Sequence, residues 1–118
     1  MENPTKLSEF LKNLPHKPGV YQFWDAEETL IYIGKAKDLK NRVSSYFNKD
    51  NYVNAKTTVL VSKIRNITFT IVDTEVDAWL LENSLIKKHQ PRYNVLLKDD
   101  KTPITIMHIN FISIEVNK

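Results

Sequence analysis

Two tyrosine tripeptides, Gly19-Val20-Tyr21 and Tyr32-Ile33-Gly34, are separated by ten residues, with the polar stretch Asp25-Ala26-Glu27-Glu28 between them. Lys35 follows the second tripeptide directly. Arg42 and Tyr46 come soon after, one helical turn apart. Phenols grouped with cations suit phosphate chemistry: a phenol can orient or accept a proton, and a guanidinium can neutralise an oxyanion. Tyrosine titrates near 10, so a phenol acting as a base at neutral pH must close about three units, or about 4 kcal/mol. A cation at short range supplies much of that.

Glu82 is the other anomaly. Its helical neighbours at i−4, i−3, i+3 and i+4 are Ala78, Trp79, Leu85 and Ile86. The apolar residues of this segment run nearly all the way round, so the helix should be buried on more than one side. A carboxylate in that setting must be paired, protonated or bound to a metal. Each of these residues also has a purely structural account. Strand tyrosines commonly pack, Asp38 and Arg42 are spaced for an i,i+4 ion pair, and Glu82 could sit in a buried salt bridge. The basic run Lys87-Lys88-His89-Gln90-Pro91-Arg92-Tyr93-Asn94 could track a phosphate backbone or complement a helix dipole.

The positioning elements follow from periodicity. Residues 5–13 read as a short helix, with Leu7, Phe10, Leu11 and Leu14 at i, i+3, i+4, i+7. Residues 19–24 and 29–34 form a β-hairpin. A four-residue loop would pair Trp24 with Thr29 and place Tyr21 directly opposite Tyr32. Asp38 caps a helix reaching about Phe47, and residues 54–65 are helical. Residues 66–72 alternate as a strand. Thr74, with Asp77 three residues on, opens a helix that runs to about His89, where Pro91 ends it. The expected fold is a small α/β (α+β) domain, an antiparallel three-stranded sheet flanked by helices.

With 118 residues the chain is one domain. A net charge of +3 permits a polyanionic partner without proving one. There is no cysteine, which excludes disulfides and thiol chemistry, and His16, His89 and His108 lack zinc-ligand spacing. No apolar run approaches the roughly 20 residues of a membrane span, and the N-terminus lacks a signal-peptide core. A cytoplasmic protein is the expectation.

The assembled residues resemble the GIY-YIG nuclease family, in the branch that forms the N-terminal domain of excision-repair nucleases. The resemblance is carried by Leu14-Pro15 through Pro18-Gly19-Val20-Tyr21, by Tyr32 through Leu39, and by Arg42 through Phe47. It continues through Leu81-Glu82, Leu85 to Lys88, Pro91 to Val95 and Leu97 to Lys101. It departs at Asp77, at Trp79 and after Thr102. Residues 1–102 are assigned to the endonuclease domain and 103–118 to an atypical tail. The resemblance implies a catalytic set of Tyr21, Tyr32, Lys35, Arg42, Tyr46 and Asn94, with Glu82 holding one Mg2+ or Mn2+ ion. Tyr32 is the favoured base and Tyr21 the second choice, while Lys35 and Asn94 would orient water and phosphate. Lys37, Lys87, Lys88 and Arg92 are candidate DNA contacts. The implied partners are damaged double-stranded DNA and the other two subunits of the excision system. A catalytically silent nucleic-acid-binding module on the same fold is the alternative.

Overall fold

The computed structural model describes residues 4–48 and 55–98. In chain order the elements are α1 (Pro4–Lys12), β1 (Gly19–Trp24), β2 (Leu30–Ala36) and α2 (Leu39–Ser45), then α3 (Ala55–Lys63), β3 (Asn66–Ile71), α4 (Glu75–His89) and α5 (Arg92–Lys98). The sheet has the order β2-β1-β3, and both pairings are antiparallel. The expected three-stranded antiparallel sheet flanked by helices is therefore present. The tail assigned to residues 103–118 lies outside the described residues.

The hairpin register differs from expectation. Tyr21 faces Gly34 and Phe23 faces Tyr32, while Trp24 faces Leu30 across a bulge. The Asp25 carboxylate is the cause. It accepts from the backbone N–H groups of Glu27 and Thr29, while the Asp25 N–H donates to the Thr29 carbonyl at 3.0 Å. Glu28 adopts φ 61°, in the left-handed region that closes such a turn. The hairpin thus closes at Asp25 and Thr29, and the bulge absorbs the mismatch. The resulting slip is two residues. Side chains alternate with a period of two, so Tyr21 and Tyr32 keep a common face.

Glycine at position 34 makes this register possible. A Cβ there would collide with the ring and hydroxyl of Tyr21, which lies across β2 at that point. Gly19 does the same where β1 meets the Thr70 carbonyl and Leu39.

The two faces of the sheet carry separate cores. Tyr21, Phe23 and Tyr32 pack with Leu39, Val43 and Tyr46 of α2, and with Leu60, Ile64, Tyr93 and Leu97. Val20 and Ile33 pack with Ala78 of α4, flanked by Leu81, Leu85 and Ile86. Helix α4 is less enclosed than its apolar sequence suggested. Only Ala78 and Asn83 are buried along it, and Val76 is 60% exposed. It lies mainly on β2, an edge strand, so its far side meets solvent.

Helix α5 has no counterpart in the periodicity reading. Gln90 turns left-handed at φ 45° and its N–H returns to the Ile86 carbonyl, which closes α4. The Pro91 carbonyl then accepts from Asn94 and Val95 and starts the next helix. The proline stops one helix and opens another.

Candidate active site

The site grows from the aromatic side of the core. Tyr21 and Tyr32 come from the hairpin, and Arg42 and Tyr46 from α2 and its C-cap. The Asp38 side chain accepts from the Asn41 N–H at 2.9 Å, so the helix starts at the position read from sequence. Arg42 and Tyr46 then flank the buried stripe of Leu39 and Val43 and face the hairpin.

The hydroxyls of Tyr21 and Tyr46 share a hydrogen bond of 2.7 Å. Arg42 donates its Nε to Tyr21 at 3.4 Å and its Nη2 to Tyr46 at 3.5 Å. The guanidinium also lies 5.2 Å from the Tyr46 ring centroid. The Tyr32 ring stands 6.3 Å from those of Tyr21 and Tyr46. Four of the expected residues thus form one contiguous group. The sequence-level alternative of an Asp38–Arg42 ion pair is not what the structure shows. Asp38 spends its carboxylate on Asn41 and on His16, and Arg42 turns to the phenols.

Burial raises the pKa of Tyr21 well above its ordinary value. The neighbouring Tyr46 and Tyr32 add to this, and Arg42 opposes it. Tyr32 is raised for the same reasons, with a further push from the Glu82 carboxylate. The adjacent Tyr21 hydroxyl holds Arg42 above the usual guanidinium range. Tyr21 and Tyr32 are therefore neutral at rest, and the Arg42 cation beside them is permanent.

Glu82 is partly exposed rather than deeply buried, which corrects the sequence argument. It sits on the packed side of α4, one turn after Ala78, where the helix overlies the edge strand. What the structure retains is its nearness to Tyr32, on which its charge acts. The fully enclosed polar residue is its neighbour Asn83, whose Nδ2 donates to the Trp79 carbonyl at 2.9 Å. Burial pattern alone did not separate these two positions.

Asn94 ties α5 to β2. Its Oδ1 accepts from the Ile33 N–H and its Nδ2 donates to the Ile33 carbonyl, both at 2.8 Å. Both ends of the amide are thereby engaged by the backbone of the residue that follows Tyr32. Lys35 pairs with Val20, on the face turned away from the phenols, and is exposed. Strand alternation separates it from the hydroxyls that it was expected to assist. Lys37, Lys87, Lys88 and Arg92 are all exposed. Lys87 and Lys88 end α4, and Arg92 lies 5.7 Å over the Tyr93 ring.

Among the described residues no group of three or more His, Cys, Asp or Glu could enclose a metal ion. A single carboxylate suits a hard cation that keeps most of its water and shares a substrate phosphate. That is the habit of Mg2+, and the donor chemistry of Glu82 fits it.

Residues 17–95 match the UvrC-like GIY-YIG domain family. The chain belongs to that family. It is 62% identical over 101 residues to UvrABC system protein C of Bacteroides fragilis, covering 82% of this chain and 16% of that protein. The corresponding protein of Porphyromonas gingivalis is 58% identical over 99 residues, covering 84% and 16%. The GIY-YIG N-terminal endonuclease domain of UvrC from Thermotoga maritima, bound to its catalytic divalent cation magnesium, superposes with a TM-score of 0.67. That match has 35% identity and covers 77% of this chain and 98% of that one. The chain spans about one-sixth of the curated relatives it matches. In this GIY-YIG domain the tyrosine of each tripeptide faces the same core, and Gly34 is the residue that admits the Tyr21 ring.

Proposed function

We propose that the domain is a divalent-metal-dependent DNA endonuclease, a phosphodiester hydrolase making the 3′ incision in nucleotide excision repair. The carrying observation is the Arg42 guanidinium held against two phenolic hydroxyls, with Tyr32 beside them and within reach of the Glu82 charge. Arg42 is placed to neutralise charge developing on a phosphate, the kind of preorganised interaction that often dominates catalysis. Tyr21 and Tyr46 hold that guanidinium in place. Tyr32 is the base, and Tyr21 is too deeply committed to Tyr46 and Arg42 to be favoured. Glu82 holds Mg2+ or Mn2+, which supplies Lewis acidity at the scissile phosphate. Neutralising that carboxylate removes one of the influences that keep Tyr32 protonated. Asn94 keeps β2, and with it Tyr32, in register with α5.

The substrate is damaged double-stranded DNA, and targeting depends on the UvrA and UvrB subunits. Among the described residues no helix is long and apolar enough to cross a membrane, in keeping with a cytoplasmic repair protein. The raised phenol pKa values favour a second reading, a silent DNA-binding module. One assay separates the two readings: nicking of a lesion-containing duplex with UvrA and UvrB present, in Mg2+ and in chelator. Glu82→Gln should lose about 100-fold or more of the cutting rate, with duplex binding retained. Equal cutting by that variant, or cutting in chelator, refutes the assignment.

A further inference from the structure

A second cationic surface lies at the other flank of α2, assembled from three separate segments. The Lys40 ammonium donates to the Lys12 carbonyl at the end of α1, at 3.0 Å. The Leu39 N–H donates to the Lys17 carbonyl at 2.9 Å, and the Lys40 N–H to that of Pro15 at 3.1 Å. These bonds gather Lys12, His16, Lys17 and Lys40, with Lys37 next to Asp38 in sequence. Lys12, His16, Lys17 and Lys37 are exposed. Two acids lie close by. Glu9 is one turn before Lys12, and Asp38 is already engaged, with Oδ1 accepting from the Asn41 N–H and Oδ2 bonded to His16 at 2.8 Å. The Asp38 carboxylate is thus turned onto its own helix start and His16, and Lys12, Lys17 and Lys37 face solvent.

Lys40 is two residues from Arg42 on α2, so the two side chains leave opposite sides of a helix about 10–12 Å across. Phosphates on one DNA strand follow each other at about 3.4 Å along the duplex axis. A strand with one phosphate at Arg42 that crosses α2 therefore brings phosphates about three nucleotides away to the Lys40 side. We propose that Lys12, Lys17 and Lys40 form a contact surface for the phosphates flanking the cut, which registers the duplex without reading its sequence. This rests on the nucleic-acid substrate proposed above and adds where the rest of the strand lies.

Such contacts release counterions, so they appear in the salt dependence of binding. The test titrates a labelled 30-base-pair duplex with the chain, in chelator and at several salt concentrations. The Lys12→Gln/Lys17→Gln double variant should bind about tenfold more weakly at low salt. The slope of log affinity against log salt should fall by about two, close to one per phosphate lost. Lys63→Gln/Arg65→Gln removes the same charge elsewhere and should leave the slope near that of the parent. Circular dichroism checks that both variants are folded. An unchanged slope in the first variant, an equal loss in the second, or no measurable duplex binding by the parent chain overturns the proposal. Unchanged duplex binding together with weakened association with UvrB would assign the surface to an acidic protein and also overturn it. Because binding is read without metal, failure of the nuclease assay would leave this result standing.

Discussion

The two faces of the sheet carry clusters of unequal size and place different demands on their surroundings. The face of Val20 and Ile33 is aliphatic, and packing against α4 satisfies it. The face of Tyr21, Phe23 and Tyr32 brings hydroxyl groups into the interior, and each buried hydroxyl needs a partner. Tyr21 and Tyr46 find theirs in each other and in Arg42. A core that must satisfy phenols thereby fixes a guanidinium at the edge of the domain. The placement of Arg42 thus follows from the packing problem of one face, while the other face seats α4, the helix that carries Glu82.

If that contrast is right, damage to the aliphatic face should reduce stability more than turnover. Ile33→Ala opens a cavity at a fully buried position and should destabilise by about 2–5 kcal/mol in urea unfolding, with the cutting rate of the folded fraction little changed. Gly34→Ala attacks the other face through the backbone. The added methyl meets the Tyr21 ring, which is hemmed in by Phe23 and Tyr46. A loss of about 1–3 kcal/mol is expected, and cutting should fall with it as the hydroxyl leaves Arg42.

Tyr21→Phe is the sharper probe, because it keeps the ring and removes the hydrogen bond. Stability should drop by about 1 kcal/mol, a shift of about 4–8 °C in melting temperature. Cutting should drop by about tenfold or more, the reverse of the Ile33→Ala pattern. Alkaline titration gives the smallest effect. The folded-state pKa values of Tyr21 and Tyr32 lie above the unfolded value near 10. Their contribution to stability is whole below about pH 10 and is lost as pH rises towards the folded values. The melting temperature should therefore slope downward above about pH 10, and Tyr21→Phe should flatten that slope.

Much of this face was legible in sequence because it depends on short-range rules. Strand alternation and the Asp38 cap placed Tyr21, Tyr32, Arg42 and Tyr46 in the correct elements and on one side. The register was not legible, since it turns on how the Asp25 carboxylate folds the loop and on Gly34 yielding room to a ring from the neighbouring strand. Helix α5 was masked by Pro91, which reads as a stop, although Tyr93, Leu96 and Leu97 at i, i+3, i+4 offered a helical signal. The depth of Glu82 was misjudged for a related reason. An apolar helix surrounds its own carboxylate only if neighbours close over it, and an edge strand leaves one side open. Lys12 and Lys17 could not be grouped with Lys40 from spacing, because backbone hydrogen bonds between distant segments bring them together.

The grip of Asn94 on Ile33 has a further consequence for self-association. β2 is a border strand of the sheet, and its outward backbone groups would ordinarily invite a stray chain to add on. At Ile33 both groups are already taken by one amide. A fourth strand could not zip along that margin without first displacing α5, so accidental lateral growth between copies is steered to the opposite margin at β3.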